Sequence, residues 1–335
     1  MGKQHLDEAR AAKRDEFYTL LPDIEAEIKF YPGAFEGKIV YCNCDDPFQS
    51  NFYKFFAREF HNLGLKSLIC SCYRSQERLL WGEPNPPAIW VEYHGGREGI
   101  PDPNDLGVHT FRGDGDFRSD ESIELLRRAD IVVTNPPFSL FREFFDQLIE
   151  YRKKFLVIGN LNAVIYNNVF PYIKRGKIWG GGSLHGGSLY FQAPFFYNCD
   201  TCKFRIEDGN KYILVPSVRW FTNLENKEHN LRLELFKEYS AAEYPRYDNF
   251  PAINVDRVKE IPRDYSGKMG VPISFLYRYS PEQFDVLGNR RGLSVNGKNL
   301  YRRIIIRNKH PLGEHPAGAE ERKESGLLWE TTTQE

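Results

Sequence analysis

Residues 131–145 read IVVTNPPFSLFREFF: an apolar run, then Asn135, Pro136, Pro137 and Phe138, then an amphipathic run. Two consecutive prolines remove two backbone donors and fix two φ angles. The residue before them, Asn135, is pushed towards extended geometry. The product is a rigid corner that holds a carboxamide and an aromatic ring side by side. Such a corner suits one kind of chemistry. An amino group conjugated into a ring is a poor nucleophile, and to attack a methyl group it must be drawn towards tetrahedral geometry. Two acceptors suffice, each taking one N–H. The Asn135 side chain supplies one and the Pro136 carbonyl the other, while Pro136 and Pro137 fix both in advance. Phe138 offers a flat face to the ring, and no shifted pKa is required. The plain alternative is a stiff strand-to-helix turn; apolar strand, Asn-Pro-Pro-Phe and amphipathic helix in succession favour the chemical reading.

The surrounding pattern predicts the elements that position this corner. Apolar residues at helical spacing predict a helix over about 22–31, and a short apolar run predicts a strand over 37–43. A helix over 50–64, rich in aromatics, and a strand over 65–73 follow. Strands are expected at 88–93 and 108–111, a helix capped by Ser119 and Asp120 over 119–129, a strand over 130–135, a helix over 138–152 and a strand over 153–160. Strands alternating with helices imply a largely parallel open sheet. Ligands of such sheets lie beyond the carboxyl ends of the strands. CDDPF (44–48) and TNPPF (134–138) both sit at such ends. Residues 180–187 carry five glycines in eight positions without a following Lys-Ser/Thr or helix, so they read as a mobile loop rather than a phosphate cradle. From about 216 the rhythm weakens into irregular pieces, and from 311 the chain is polar and reads as a disordered tail.

Composition narrows the class. The chain has 335 residues, is 41% hydrophobic and carries a formal charge of −1, ample for one large domain or two. No apolar run reaches the roughly eighteen residues of a membrane span, and the charged N-terminus lacks the apolar core of a secretory signal. Cys42, Cys44, Cys70, Cys72, Cys199 and Cys202 form no dense framework, which places the chain in a reducing cytoplasm with buried thiols. Cys199-x-x-Cys202 lacks a second pair, so no metal is expected. Residues 251–310 hold twelve Lys and Arg against five Asp and Glu, a local excess compatible with nucleic acid or with a solvated basic face.

Asn-Pro-Pro-Phe in this place resembles the motif of S-adenosylmethionine-dependent amino-methyltransferases. More specifically, the chain resembles the EcoRI-type adenine-specific DNA methyltransferases. The matching pieces run in order: DEFYT (15–19), VYCNCDDPFQSNFYKFF (40–56), GDGDFRS (113–119), VTNPPFSLFREF (133–144), FLVIGNLNAVIY (155–166), RWFTNL (219–224), YSGKMGVPISFLYRYSPEQF (265–284) and NGKNLYRRIIIR (296–307). The resemblance implies a Rossmann-like class I methyltransferase domain, an α/β fold with a mixed, mostly parallel sheet of about seven strands, plus a smaller target-recognition region. It implies S-adenosylmethionine as cofactor. Asn135, Pro136, Pro137 and Phe138 would be catalytic. Asp45, Asp46 and Pro47 would border the cofactor's methionine and ribose, Phe17, Tyr18 and Thr19 would close its pocket, and Asp116 and Phe117 would hold its adenine. The chain departs from the wider superfamily in two places. D-P-F-Q-S-N stands where many relatives carry G-x-G, and no carboxylate follows the second strand, where CSCY stands.

The expected organisation is a cofactor-binding catalytic domain over 1–215, a target-recognition region over 216–310 and a tail over 311–335. The expected reaction is methylation of the N6 amino group of adenine in double-stranded DNA, with the base extruded into a pocket. Arg290, Arg291, Arg302 and Arg303 are the candidate DNA contacts, each suited to phosphate or to guanine edges. One copy can methylate one strand per visit, so a monomer is expected; the sequence is compatible with a cognate restriction endonuclease acting separately and does not by itself require one. The rival expectations are methylation of a protein glutamine amide or of RNA adenine, or a DNA-binding relative without catalysis.

Overall fold

The computed structural model describes residues 18–74, 86–96, 99–183, 188–193, 203–226, 229 and 231–313. Phe17, Leu184 to Gly187, Cys199, Cys202 and the tail from 314 lie outside them. The chain divides into two compact units: Met1–Ala163 with Gly181–Glu228, and Val164–Gly180 with His229–Glu335.

In the first unit the chain order is β1 (Tyr18–Thr19), α1 (Leu21–Ile28), β2 (Ile39–Asn43), α2 (Asn51–Arg58), β3 (Ser67–Ser71), β4 (Ile89–Tyr93), β5 (His109–Thr110), α3 (Asp120–Arg128), β6 (Ile131–Thr134), α4 (Phe141–Glu150), β7 (Lys154–Asn160), β8 (Ser188–Ala193), β9 (Lys203–Glu207), β10 (Asn210–Pro216) and β11 (Val218–Thr222). Its large sheet runs β5-β4-β3-β2-β6-β7-β11. The middle of this sheet is parallel, β2 pairing with β3 and β6, and β6 with β7. The outer pairs β3–β4, β4–β5 and β7–β11 are antiparallel, so the sheet is mixed. A second, antiparallel sheet runs β1-β8-β10-β9.

The central strands are buried almost throughout and mostly apolar, because both their faces are covered. Alternation sends Val40, Cys42, Leu68, Cys70, Val133 and Ile158 to the face that packs with α1 and α2. There the Phe35 and Phe56 rings lie 5.5 Å apart, and Phe52 meets Trp220 edge-on at 6.1 Å. Their alternates face α4, where Phe145 meets Phe155 at 6.2 Å. Each such buried ring contributes roughly 1.5–3 kcal/mol of transfer free energy. The glycine-rich segment begins docked rather than loose. The Gly182 and Ser183 amides donate to the buried Glu27 carboxylate at 2.8 and 2.7 Å. A Cβ on Gly181 would come within 2.2 Å of that carboxylate, and one on Gly182 within 2.1 Å of the Phe30 ring. Glycine is required here for close approach.

Several boundaries differ from the sequence expectation. The first helix stops at Ile28, and the aromatic helix stops at Arg58, with turns up to Gly64. The chain after the double proline first makes a short 3₁₀ turn, Phe138–Leu140, before α4 starts. The larger difference lies beyond 216, where irregular pieces were expected. The second unit contains α5 (Phe170–Lys174), β12 (Arg246–Tyr247), β13 (Phe250–Asn254), β14 (Met269–Pro272), β15 (Phe284–Arg290), a hairpin of β16 (Ser294–Val295) with β17 (Lys298–Asn299), and β18 (Arg303–Asn308). Five of these form a sheet in the order β12-β13-β14-β18-β15. The strands are short, and β15 carries a bulge between Val286 and Gly288. A bulge shifts the two-residue period that marks a strand in sequence.

Candidate functional site

The carboxyl ends of β2, β3 and β6 converge on a small cleft, partly open to solvent. Tyr18, Cys44, Asp45, Asp46, Cys72, Tyr73, Arg74 and Asn135 line it. The strand order explains the convergence: parallel β2 lies between β3 and β6, so the loops leaving all three rise on one edge of the sheet. At the exit of β2, Cys44 takes φ +72°, a left-handed conformation costly for a residue with a Cβ. That reversal turns the chain back over the sheet, and the Asp45 amide donates to the Ser71 carbonyl at 2.8 Å.

Asp45 is buried and fully engaged. Ser50, the N-cap of α2, accepts from the Phe52 amide at 3.0 Å and donates its own proton to Asp45 Oδ1 at 2.8 Å. Thr134 Oγ1 lies 2.5 Å from Asp45 Oδ2 and also contacts the Asn43 carbonyl. A hydroxyl has one proton, so it cannot donate to both. Every group is satisfied if Asp45 is a neutral acid that donates to Thr134, which donates to Asn43. Burial pushes the Asp45 carboxyl up to about 7, with neighbouring Asp46 adding to the effect and the Ser50 bond opposing it; the Thr134 bond opposes it only where Thr134 is the donor.

Asp46 has the opposite surroundings. It accepts from the Phe48 amide at 2.9 Å and forms an ion pair with Arg74. Arg74 directly follows the CSCY stretch after β3, and its backbone amide donates to the Asp114 carbonyl at 2.8 Å. The turn at Gly115 closes tightly on that strand end: a Cβ there would lie 2.3 Å from the Cys72 carbonyl oxygen, and φ is +72°. Arg74, Thr134 and Ser50 were not singled out from sequence. An arginine beyond a strand end carries no local signature, although Ser50 shows the usual cap residue ahead of a helix.

The structure thus brings together Tyr18, Asp45, Asp46 and Asn135. Thr19 and Pro47 adjoin them as buried residues, and the Thr19 carbonyl accepts from the Asn51 side chain at 2.8 Å. Pro136 is buried; Pro137 and Phe138 are half-buried, and Phe138 packs against the core beneath. The Asn135 side-chain oxygen is itself buried. Asp116 does not line the cleft. Arg118 holds its carboxylate at 2.7 and 2.9 Å and also pairs with Glu143 at 2.5 Å. Phe117 is 5% exposed, edge-on to Phe144 at 5.2 Å.

The four arginines proposed from sequence lie in the second unit in unlike settings. Arg290 is exposed and sits over the Phe250 ring at 4.2 Å, and Arg291 is exposed. Arg302 donates to the Ile165 carbonyl at 3.1 Å. Arg303 donates to Asn254 at 3.3 Å and pairs with Asp256 at 3.4 Å. The paired cysteines lie together as free thiols, Cys42 opposite Cys70 in the β2–β3 register, and burial pushes both thiols upward. Among the described residues no three His, Cys, Asp or Glu side chains cluster to hold a metal, and no helix is long and apolar enough to cross a membrane.

Comparison with known proteins adds independent findings. The model of the family "Adenine-specific methyltransferase EcoRI" matches residues 5–323. The chain is 49% identical over 315 residues to the Type II methyltransferase M.EcoRI of Escherichia coli, covering 91% of this chain and 96% of that protein. It is 40% identical over 287 residues to the Type II methyltransferase M.MpnI of Mycoplasma pneumoniae, covering 84% and 85%. It is 36% identical over 328 residues to the Type II methyltransferase M.MgeORF184P of Mycoplasma genitalium, covering 90% and 98%. No solved structure matches it.

Proposed function

The chain belongs to the EcoRI family of adenine-specific methyltransferases, and from that premise we propose that it transfers a methyl group from S-adenosylmethionine to the N6 amino group of adenine at a specific site in duplex DNA. The observation that carries this reading is the single cleft that holds Asn135 beside Asp45, Asp46, Tyr18 and Arg74. We read the parallel core of the first unit as the Rossmann-like class I cofactor fold, since the cleft lies where such sheets bind ligands.

The residues present fit the cofactor by charge. S-adenosylmethionine carries a sulfonium, an ammonium and a carboxylate; the cleft offers two carboxyls and one guanidinium. One buried polar atom of a lining residue, Arg74 Nε, has no hydrogen-bond partner among the described residues. It can take up a bond to a ligand at no further desolvation cost. When bound, the cofactor supplies an electrophilic methyl group. The chain does the rest by positioning. Asn135 and the Pro136 carbonyl accept the two amino protons of the target, which frees its nitrogen lone pair, and the prolines hold both acceptors still. Phe138 stacks on the extruded base, which pays for part of the cost of unstacking it. Asp116 and Phe117 are assigned to the cofactor's adenine, with Arg118 fixing the Asp116 carboxylate in place. We assign cofactor and catalysis to the first unit, and target recognition to the second, with its basic segment.

The test is transfer of labelled methyl from S-adenosylmethionine to mixed genomic DNA, with the modified nucleoside identified by mass. N6-methyladenine is expected. Asn135→Ala should slow transfer about a hundred- to a thousandfold while leaving cofactor affinity in place. Label in RNA or in protein glutamine instead would overturn the substrate assignment, and undiminished transfer by Asn135→Ala would overturn the catalytic one.

A further inference from the structure

Between Val286 and Gly313 the chain contains seven Lys and Arg and no Asp or Glu. The strands β15 and β18 are joined within this stretch by the small hairpin β16–β17. Its turn is Asn296-Gly297, with φ +51° and +75°. Two successive positive φ angles match the tight turn whose twist suits a β-hairpin.

The hairpin is held as a rigid projection. The Asp248 carboxylate takes the Asn296 amide at 3.0 Å and the Gly297 amide at 2.9 Å. The Asp248 amide donates to the Ser294 carbonyl at 2.9 Å, and the Asn249 side chain donates to the Gly292 carbonyl at 2.8 Å. The Leu300 amide closes the base of the hairpin on the Leu293 carbonyl at 2.8 Å. Beneath, Leu293 is buried in a cluster with Tyr247, Ala252 and Ile305, and Val295 and Leu300 pack onto it. The Asp248 carboxylate is thus engaged by the amides of the turn. What remains outward is Arg291, Asn296, Lys298, Asn299 and Tyr301, all exposed.

We propose that this hairpin reads base edges in the major groove of duplex DNA, with Lys298 and Asn299 at the bases and Arg290 and Arg291 on the flanking phosphates. A two-stranded ribbon fits that groove, and ammonium and carboxamide side chains are the groups that bond the edges of guanine and adenine there. A stretch with seven Lys and Arg and no Asp or Glu suits a polyanion. Rigidity suits reading rather than mere attraction, because a base contact discriminates only when its geometry is fixed in advance. Arg302 and Arg303 are excluded from this role by the internal bonds that already hold them.

The inference rests on the DNA-methylating reading above, and the experiment separates the two. Methylated sites are mapped on a randomised duplex library for the wild type, for the Lys298→Ala, Asn299→Ala double variant and for Arg291→Ala. Cofactor affinity and melting temperature are measured alongside. The double variant should lose about tenfold discrimination at one or two positions of the site, with cofactor affinity and melting unchanged. Arg291→Ala should weaken binding equally on all sequences and lower the salt slope by about one. A double variant that keeps the wild-type site preference, or weakens evenly on every sequence, would overturn base reading by the hairpin while leaving the methyltransferase reading intact. A wild-type chain that methylates no DNA would remove both.

Discussion

The cleft depends on how single residues hold protons and charges. Asp45 and Asp46 are adjacent in sequence, yet one is buried between two hydroxyls and the other faces a guanidinium. The Asp45 carboxyl, raised from an ordinary 3.8 to about 7, binds its proton more tightly folded than unfolded. Its stabilising effect is therefore complete below about pH 4 and is lost as pH rises through about 7. Asp45→Asn removes the titration, so the variant should gain on the wild type by up to about 4 kcal/mol across that interval. Denaturant unfolding of both proteins in cofactor-free buffer at a series of pH values would show it. A stability difference that stays flat with pH would mean that Asp45 ionises normally. The motif residues Asn135 to Phe138 were legible from sequence because a double proline after a strand is a rare arrangement with local consequences. Arg74 was not, since only packing sets it beside a carboxylate 28 residues earlier.

Among the elements, the tight turn from Arg112 to Phe117 shows how backbone shape reaches the site. Gly115 leaves no room for a side chain against the end of β3, and the same turn holds the Arg74 amide through the Asp114 carbonyl. Gly115→Ala combines a steric clash with a left-handed φ, each unfavourable for a residue with a Cβ. The loop should shift, carrying Arg74 away from Asp46 and lowering cofactor affinity about tenfold or more. Equilibrium titration with S-adenosylhomocysteine reads this without requiring turnover, and an unchanged dissociation constant would show that the turn does not support the cleft. The helix after β2 was readable from its aromatic spacing and Ser50. Its early stop at Arg58 was not, because the aromatic Phe60 continues the apolar pattern into the turns and packs on Tyr93 at 4.8 Å.

For the molecule as a whole, the near-zero net charge hides an uneven distribution of charge. The cleft holds carboxyls with a single guanidinium, and the second unit carries the basic stretch. Phosphate contact releases counterions, so DNA affinity should fall about 10³-fold or more between 50 and 200 mM salt if six or more phosphates are engaged. Cofactor affinity should change little, because the partners proposed for it lie within a partly buried cleft. Fluorescence anisotropy with a labelled duplex, run beside cofactor titrations at the same salts, checks both. Equal salt sensitivity of the two would contradict the separation of roles.

By itself the sequence determined the parallel core of the first unit, the rigid Asn-Pro-Pro-Phe corner at the end of β6 and the family resemblance that names the reaction. These follow from local rules, namely apolar period, caps and proline geometry, which act over a few residues. Tertiary structure alone decided which groups share the cleft and in what state. Thr134 meets Asp45 across 89 residues of chain because β2 and β6 are neighbours in the sheet, and burial there raises the Asp45 carboxyl to about 7. It also decided that two of the four candidate arginines are bound within the fold and that the sheet beyond 216 exists at all. Short strands with a bulge carry too little period to be read one by one, and they become strands only when their partners supply the hydrogen bonds.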